Sequence, residues 1–366
     1  MEIIVPGRTE LAGNHTDHQG GHVLAAAVNL LIRGSVQADA ARQVLLRSAG
    51  FGLLRVDLKE LDAAFSKPGT GEALVRGVLE YLSGEGWEIG GFSGELVSDI
   101  PPGAGLSSSA AFSVWIGKTV SELYNGGNIP PMALALAARY AENIHFGKPC
   151  GLMDQCACAF GGVTAMSFHE PLPDVRPLNA DLKKLGYALC VVQTGGNHRD
   201  LTEDYAQIPR EMGAVAACFG TARLSDVKEA EFRAVIPELR RRAGDRAVLR
   251  AMHYFTEDRR AQEMAQALET GDISAYLAGM DASGRSSAEL LQNSFSPADP
   301  RSQGISLALA LSREILSSHG AARVHGGGFA GTIQALMPSD LMPRYRTGME
   351  SVFGMGCCME LEVVNT

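Results

Sequence analysis

Three glycine-rich segments constrain this chain more than any other feature of its sequence. They are, in order, PGRTELAGNHTDHQGG (residues 6–21), PPGAGLSSSAA (101–111) and VHGGGFAGT (324–332). Glycine loses more conformational freedom on folding than any other residue, so clusters of it weaken helices and strands. Such clusters are useful where the backbone must approach a ligand closely. The pattern therefore predicts that these segments are site loops, and it argues against a purely structural protein.

The length and composition predict a globular protein of about two domains. The chain has 366 residues, of which 46% are hydrophobic and 20% are charged. Domains hold roughly 100–200 residues, and this composition excludes a disordered chain. The net charge of -9 argues against a nucleic-acid partner, which normally requires a basic face. The seven cysteines are an odd number in a large chain and do not indicate a disulfide framework.

The sequence shows neither a secretion signal nor a membrane span. The N-terminus, MEIIVPGRTE, lacks a basic start followed by an apolar run. No stretch reaches the roughly 18 uninterrupted apolar residues that predict a spanning helix. We therefore expect a cytoplasmic protein that has no membrane partner.

Hydrophobic periodicity predicts a mixture of strands and helices, and hence an α+β protein. The predicted strands are residues 2–5, 91–100, 160–167, 186–193, 332–337 and 359–364. The predicted helices are residues 107–124, 132–146, most of 202–285, 304–318 and 339–352. The long polar, amphipathic helical region begins after a change in composition near residues 180–195. We expect two domains, formed by residues 1–188 and 189–366.

The second glycine-rich segment has the features of an anion-binding loop. Its Pro and Gly residues prevent regular structure, and small residues then lead into a helix. Backbone N–H groups at such a turn point outward, and the helix dipole adds positive charge, which suits phosphate. The candidate phosphate-binding residues are Gly103, Gly105, Leu106, Ser107, Ser108 and Ser109. The alternative is a serine-capped helix with a flexible entry loop.

Arg8 and Asp154 are predicted to form a pair although they are far apart in sequence. Asp154 lies among apolar neighbours in KPCGLMDQ (148–155). An unpaired buried carboxylate is costly, so Asp154 needs a partner, and Arg8 in the polar first segment is a candidate. The alternatives are that Asp154 caps the start of a helix and that residues 6–21 form a solvated loop.

The segments resemble, in this order, the signature motifs of the GHMP kinases, a family that includes galactokinase, homoserine kinase and mevalonate kinase. PGRTELAGNHTDHQGG resembles the galactokinase signature specifically, and so do CGLMDQ and HGGGFAGT. The resemblance implies a two-domain GHMP kinase fold with the active site in the interdomain cleft. The N-terminal domain would be ribosomal protein S5 domain 2-like, and the C-terminal domain would be ferredoxin-like.

The same resemblance implies an ATP-dependent sugar 1-kinase that uses Mg²⁺, with galactose as the expected acceptor. Asp154 matches the proposed catalytic base of the family, and Arg8 matches the arginine that pairs with this base. The serine-rich loop would wrap the phosphates of ATP. Ser109 and Glu142 match the family's Mg²⁺ ligands. We expect Arg8 to keep Asp154 ionised and to lower its pKa.

The resemblance also implies a sugar site and leaves the exact sugar open. Its residues are Asn14, His15, Asp17, His18, Gly151 and Tyr205. Galactokinases usually have Glu at the position of Asn14 and Tyr at the position of His18. A neutral Asn, and a His that can donate or carry positive charge, would tolerate a carboxylate at C6 of the sugar. Galacturonate or another galactose-like sugar therefore remains an alternative to galactose.

Residues 195–198, GGNH, also depart from the family pattern, which reads nearer to NSNVRH, and sugar contacts from this loop are in doubt. Two further classes are a non-catalytic sugar sensor with this fold and a GHMP kinase for a non-sugar alcohol. The retention of Arg8, Glu142 and Asp154 argues against a sensor, and the HTD pattern of the first segment argues against a non-sugar substrate. We expect ATP and a small sugar as partners, and a monomer or weak homodimer.

Overall fold

A computed structural model describes residues 1–48, 52–101, 105–195, 201–329 and 331–365. Within these ranges the chain forms two β-sheets that are covered by helices. Residues up to Leu178 supply the strands of the first sheet, and residues from Tyr187 onward supply those of the second. The predicted mixture of strands and helices is confirmed.

The first sheet is mostly antiparallel. Its strands are β1 (Glu2–Ala12), β2 (His22–Asp39), β3 (Gln43–Ser48), β4 (Gly52–Asp57), β5 (Gly91–Ser98), β6 (Val163–Ser167) and β7 (Asp174–Leu178). The strand order is β4-β3-β5-β2-β6-β7, with β1 paired to β2, and only the β3–β5 pairing is parallel among the described strands. Its helices are α1 (Gly71–Gly84), α2 (Ser108–Tyr124), α3 (Pro131–Tyr140) and α4 (Met153–Phe160). A π-helical turn, Ala141–Phe146, continues α3.

The second sheet is antiparallel and follows the order β11-β8-β10-β9. Its strands are β8 (Tyr187–Gln193), β9 (Ala321–Val324), β10 (Thr332–Pro338) and β11 (Cys358–Leu361). The helices of this half are α5 (Thr202–Ala217), α6 (Glu229–Ala234), α7 (Ile236–Ala243), α8 (Asp245–Thr270), α9 (Ile273–Ser286), α10 (Gly304–Leu316) and α11 (Met342–Phe353). A second π-helical turn, Ser287–Leu291, follows α9. Among the described residues, no helix combines the length and apolar character needed to cross a membrane.

Strand β2 lies in the interior of the first sheet, and its composition follows from that position. The run from Val23 to Val28 is fully buried, and three of its residues are alanines. Helices α2, α4 and α8 all contact β2. Small side chains allow these helices to approach the strand closely, which explains why the run is apolar but not bulky.

Strand β1 is longer than predicted, which corrects the expectation that residues 6–21 form a loop throughout. β1 continues to Ala12 and pairs with β2, with irregularities in register between Pro6 and Gly7 and between Glu10 and Ala12. These irregularities accommodate the Pro and the Gly while the strand stays paired. Trp115 of α2 is fully buried and donates from Nε1 to the carbonyl of Ile3 at 3.0 Å, which helps to fix α2 against β1. Part of the polar first segment is therefore held on a rigid strand.

The C-terminal tail connects the two halves of the chain. Val363 forms an isolated bridge with Val28, and the amide of Val364 donates to the carbonyl of Ala27 at 3.0 Å. Residues near the end of the chain thus pack on the first sheet. The predicted division between residues 188 and 189 falls two residues inside β8, which begins at Tyr187.

Candidate functional site

The three glycine-rich segments meet in space. A Cβ atom on Gly7 would lie 3.0 Å from the carbonyl oxygen of Leu106, and one on Gly105 would lie 3.4 Å from Nδ1 of His325. His15 contacts the carbonyl of Gly327 at 3.1 Å through Nε2. Glycine at positions 7 and 105 therefore lets the second segment approach the first and the third. The predicted site loops come together although long stretches of sequence separate them.

Arg8 and Asp154 form the predicted pair. Arg8 lies on β1, Asp154 lies in the first turn of α4, and Arg8 Nε donates to Asp154 Oδ1 at 2.7 Å. Arg8 also donates from Nη1 to the carbonyl of Gly105 at 2.5 Å and from Nη2 to Oγ of Ser107 at 3.2 Å. The arginine thus connects the carboxylate to the second glycine-rich segment.

The electrostatic consequence for Asp154 is also as predicted. Burial by itself raises the pKa of this carboxyl, but the charge and hydrogen bond of Arg8 outweigh burial and lower the pKa to about 2. Ser107 contributes a further hydrogen bond to the charged form. Burial lowers the pKa of the Arg8 guanidinium, but the charge and hydrogen bond of Asp154 raise it, and the net pKa is raised. Both members of the pair are therefore charged at neutral pH.

The second segment leads into α2 as predicted, with the helix beginning at Ser108. Ser107 is its N-cap and has a left-handed backbone, and Ser108 and Ser109 lie in the first turn, where backbone N–H groups have no helical partner. Leu106 is buried in the core, so it offers its backbone to the site and not its side chain. Gly103 lies outside the described residues.

Asp17 approaches the backbone beside Asp154. A Cβ atom on Gly151 would lie only 2.3 Å from Oδ2 of Asp17, so only glycine fits at this position. Burial raises the pKa of the Asp17 carboxyl; His15 opposes this shift, and the negative charge of Asp154 adds to it. The structure therefore brings together three of the predicted residues, Asp17, Gly151 and Asp154.

His15 and His18 form a neutral pair next to Asp17. His15 Nδ1 lies 3.3 Å from His18 Nε2. Burial lowers the pKa of His15 to about 3, and the neighbouring His18 adds to this effect. Burial also lowers the pKa of His18 to about 4. Of the two possibilities for His18, donating a hydrogen bond or carrying positive charge, the lowered pKa favours the first near neutral pH, because a neutral imidazole can still donate one hydrogen bond.

Asn14 is buried among polar partners, and its predicted role in sugar binding stays a prediction. The side chain is 1% exposed, and both ends of its amide have protein partners. Nδ2 donates to Glu10 Oε1 at 3.1 Å and to the carbonyl of Gly326 at 2.7 Å, and Oδ1 accepts from Asn293 at 3.0 Å. Asn14 is thus a structural link among buried groups.

Tyr205 packs on the glycine loop, defined here as residues 326–329. Its hydroxyl donates to the carbonyl of Gly328 at 3.0 Å. Its ring meets Phe329 edge-on with 5.4 Å between centroids, and a Cβ atom on Gly327 would lie 2.3 Å from the ring. His15 contacts the same loop through the carbonyl of Gly327. Tyr205 therefore joins the predicted group through this loop.

Glu142 has the features of a cation ligand. It lies in the π-helical turn after α3, is 1% exposed, and accepts through Oε2 from Cys150 Sγ at 3.1 Å and from Gln155 Nε2. Its other oxygen, Oε1, is buried and has no partner among the described residues. A buried carboxylate oxygen without a donor suits a hard cation such as Mg²⁺. The turn packs against α2, which carries Ser109.

The arrangement of Glu142 fits Mg²⁺ that is bound jointly by protein and nucleotide. The described residues contain no cluster of three or more His, Cys, Asp and Glu side chains that could hold a metal. Mg²⁺ usually keeps several waters and binds through one or two protein oxygens together with substrate phosphates. Glu142 and Ser109 would be enough protein ligands for a cation held in this way.

Sequence reasoning missed the residues that support the site. Cys150 and Gln155 hold Glu142, and His325 contacts Oγ1 of Thr9 at 2.9 Å and Oγ1 of Thr332 at 3.0 Å. Cys150 and Gln155 belong to the string CGLMDQ, and a polar Gln155 next to apolar residues could have indicated a buried hydrogen-bonding role. The signal for His325 was weaker, because its partners are distant in sequence.

The chain is similar to known sugar and mevalonate kinases. The model for the GHMP kinases N terminal domain matches residues 73–162, and the model for the galactokinase galactose-binding signature matches residues 3–37. A galactokinase from Glaesserella parasuis serovar 5 (strain SH0165) is 30% identical over 355 residues, which cover 94% of this chain and 87% of that protein.

Solved structures confirm the predicted GHMP kinase fold. The Lactococcus lactis galactokinase complexed with galactose superposes with a TM-score of 0.83 at 23% identity, covering 100% of this chain and 93% of that one. The mevalonate kinase of Methanococcus jannaschii has a TM-score of 0.69 at 15% identity, with 100% and 98% coverage. Given the identity and coverage of the Glaesserella parasuis relative, the chain belongs to the galactokinase family of the GHMP kinases.

Proposed function

We propose that this chain is an ATP-dependent sugar kinase that converts galactose and ATP into galactose 1-phosphate and ADP. Membership of the galactokinase family supports this function. The observation that carries it is the Arg8–Asp154 pair, at 2.7 Å, beside the serine-rich N-terminus of α2. A charged base next to a phosphate-binding helix end is the arrangement that phosphoryl transfer to a hydroxyl requires.

In the proposed reaction, Asp154 accepts the proton of the anomeric hydroxyl of the sugar. The sugar oxygen then forms a bond to the γ-phosphorus, and the bond between this phosphorus and the oxygen of ADP breaks. Because the pKa of Asp154 is about 2, the carboxylate is ionised and ready to accept this proton at neutral pH. Arg8 holds the carboxylate in place, and its positive charge lies near the transferred phosphoryl group.

The remaining residues of the loop bind the nucleotide in this proposal. The N–H groups of the first turn of α2 and the backbone of Gly105 and Leu106 contact the phosphates, with Ser108 beside them. Ser109 and Glu142 would hold Mg²⁺, which neutralises negative charge on the phosphates when it is bound. Gly103 stays a predicted member of the loop.

We propose that the sugar lies against Asp17, His15, His18 and Tyr205. Asp17 accepts hydrogen bonds from sugar hydroxyls, and Gly151 leaves room for this carboxylate. The neutral imidazole of His18 has a buried Nδ1 without a partner among the described residues, which can pair with a further hydroxyl. Tyr205 and His15 keep the glycine loop in place beside the sugar.

The test is ADP release, measured in a coupled assay, with galactose, galacturonate, glucose and N-acetylgalactosamine as acceptors. We expect turnover with galactose and an NMR signal for a phosphate on C1 of the product. Turnover with galacturonate alone would replace the proposed acceptor by the acidic sugar. Binding of galactose without ADP release from any sugar would instead support a non-catalytic sensor.

We further propose that the working protein is a cytoplasmic monomer or weak homodimer whose partners are small molecules. The net charge of -9 supports the absence of a nucleic-acid partner. We also keep the division into residues 1–188 and 189–366 as a proposal. Light scattering coupled to size-exclusion chromatography measures the mass in solution, and limited proteolysis tests the division. A stable tetramer would contradict the first of these proposals.

A further inference from the structure

We propose that Ser107 is a positioning residue for the Asp154 carboxylate, and not only part of the lining of the phosphate loop. This inference rests on the proposed function, because it assigns the Ser107 hydroxyl to the base of that reaction. Nothing in the composition of the loop distinguishes Ser107 from Ser108 and Ser109. Its contacts do.

Ser107 closes a ring of three hydrogen bonds with the catalytic pair. Arg8 Nε donates to Asp154 Oδ1 at 2.7 Å, Arg8 Nη2 donates to Ser107 Oγ at 3.2 Å, and Ser107 Oγ donates to Asp154 Oδ2. Each oxygen of the carboxylate is thus held by a different element, one by β1 and the other by the N-cap of α2. A carboxylate held at both oxygens cannot rotate about its Cβ–Cγ bond, whereas one held at a single oxygen has a broad torsional range.

The backbone of Ser107 supports this assignment independently. Its φ of 59° and ψ of 56° are left-handed, a conformation that residues other than Gly rarely adopt. Serine is a favoured N-cap because its hydroxyl usually accepts from the first turn of the helix. Here the Ser107 side chain makes no capping hydrogen bond. The unfavourable backbone therefore directs the hydroxyl to the catalytic pair, at the expense of the helix end.

The ring restricts how a sugar hydroxyl can approach the Asp154 carboxylate. The two oxygens of an ionised carboxylate offer about four lone-pair positions, and Arg8 and Ser107 occupy one each. The positions that remain open to the sugar hydroxyl are set by those two contacts. Because Ser107 belongs to the phosphate loop, the same backbone segment that would bind the nucleotide also orients the base.

The experiment compares Ser107→Ala and Ser107→Gly with the wild-type chain. Both variants lack the hydroxyl, but glycine tolerates the left-handed backbone and alanine does not. We expect kcat to fall about 10- to 100-fold in both, as for a catalytic group displaced by a fraction of an ångström to an ångström. The affinity for a non-hydrolysable ATP analogue, measured by calorimetry, should stay unchanged in Ser107→Gly, which can keep the backbone of the loop. The matched control is Ser317, an exposed serine with φ of 50° at the end of α10, where the same two substitutions should leave kcat unchanged.

A double-mutant cycle adds a test that a purely structural role would not pass. In an Asp154→Asn background, Ser107→Ala should lower the residual rate little further, because the group that it positions is already disabled. The inference is overturned if both Ser107 variants keep the wild-type kcat, or if ATP-analogue affinity falls while kcat holds, since the hydroxyl would then serve the phosphates. Failure of the proposed function would appear separately, as absence of turnover in the wild-type chain. In that event, crystal structures of the free wild type and Ser107→Ala still test the inference, which requires the Asp154 carboxylate to rotate in the variant.

Discussion

Asp154 shows how strongly one ion pair determines the chemistry available to a residue. Burial alone would keep this carboxyl protonated more readily than in water, and the arginine reverses that effect. The two shifts differ in sign, so the neighbour determines the direction of the net change in pKa. Without Arg8, burial would raise the pKa of this carboxyl, and a smaller fraction of it would be ionised at a given pH.

We expect Asp154→Asn to retain ATP binding and to lose most turnover. Asparagine keeps the size of the side chain but cannot accept the sugar proton, and general-base catalysis contributes about 10²- to 10⁴-fold. Stopped-time ADP assays and calorimetry with an ATP analogue measure the two effects separately. Asp99→Asn is the matched control, because Asp99 pairs with Arg33 at 2.6 Å on the surface. A near-normal rate for Asp154→Asn would remove Asp154 from the proposed role.

We expect Glu142→Gln to weaken divalent-cation binding. The variant keeps a hydrogen-bonding side chain but loses the negative charge that would meet the cation. The dissociation constant for Mn²⁺ in the presence of ATP, measured by electron paramagnetic resonance, should rise on the order of 10-fold. Glu269→Gln serves as control, since Glu269 forms an exposed pair with Arg176. Equal Mn²⁺ affinity in the Glu142 variant would assign Glu142 to structure alone.

At the scale of elements, a glycine in the short segment before α4 leaves room for the carboxylate of Asp17 close to the start of the helix that carries Asp154. Gly151 has no Cβ, and this absence provides the space that Oδ2 of Asp17 occupies. The 3-10 turn that carries Asp17 and helix α4 that carries Asp154 can therefore present both side chains together. A side chain at position 151 would displace the turn.

We expect Gly151→Ala to impair sugar binding more than ATP binding. The added Cβ would lie 2.3 Å from Asp17 Oδ2, so the carboxylate or its turn must move. KM for the sugar should rise by about 10-fold or more while KM for ATP changes little, a split that steady-state kinetics resolves. The control is Gly213→Ala in α5, where nothing lies within 4 Å of the new atom. If both KM values rise equally in the Gly151 variant, the clash has a wider effect than proposed.

At the scale of the whole molecule, a buried ion pair connects the two sheets. Arg323 on β9 donates to Glu10 on β1, with exposures of 0% and 4% for the two side chains. Burial raises the pKa of Glu10, and Arg323 opposes that rise. Asn14 donates to the same carboxylate. The junction of the two halves therefore contains a buried, hydrogen-bonded ion pair in addition to its apolar contacts.

We expect Arg323→Met to destabilise the chain by about 3–5 kcal/mol, because it leaves Glu10 buried without its counter-charge. Urea unfolding measures this change. The double variant Arg323→Met with Glu10→Gln should recover much of the loss, since neither charge then remains buried. Equal destabilisation of the single and double variants would show that packing and not charge dominates at this junction.

We expect the free energy of unfolding to decrease as pH falls from about 6.5 toward 4. His15, His18 and His325 have folded-state pKa values of about 3, 4 and 3, all lowered first by burial. The unfolded chain binds protons at these sites below pH 6.5 while the folded chain does not, so each site favours unfolding by about 1.4 kcal/mol per pH unit in that window. Asp154 affects the free energy of unfolding at lower pH. Its pair with Arg8 stabilises the folded chain above the ordinary pKa of an aspartate, and this stabilisation is lost as pH falls from that pKa toward the folded-state pKa of about 2.

Urea midpoints between pH 7 and pH 4.5 test this dependence. In His18→Gln the slope of unfolding free energy against pH should be smaller by about one proton than in the wild type. Ser317→Ala, a change at an exposed residue that does not titrate, is the control and should leave the slope unchanged. A slope that is identical in His18→Gln and wild type would show that His18 titrates normally in the folded chain.

Much of the fold and of the site could be predicted, but several elements were missed, among them α1, α4, β2, β3, β4, β7 and β9. Helix 107–124 and its phosphate-binding end were predicted because periodicity, serines and glycines are local signals. Strand β2 and the far half of β1 were missed, because a strand buried on both faces, such as Val23–Val28, does not alternate. The pairing of Arg8 with Asp154 was predictable from the cost of burying a lone charge.

The sequence by itself determined which chemistry the chain carries. The glycine segments, the serines of the loop and the two charged residues 8 and 154 are properties of local composition and order, which need no coordinates to interpret. Only the tertiary structure decided what each polar group contacts. Asn14 is hydrogen-bonded to Glu10 and Asn293. Burial lowers the pKa of His18 and keeps its ring neutral. The Ser107 hydroxyl donates to Asp154 instead of capping its helix. Burial and hydrogen-bond partners depend on residues distant in sequence, and no local pattern contains that information.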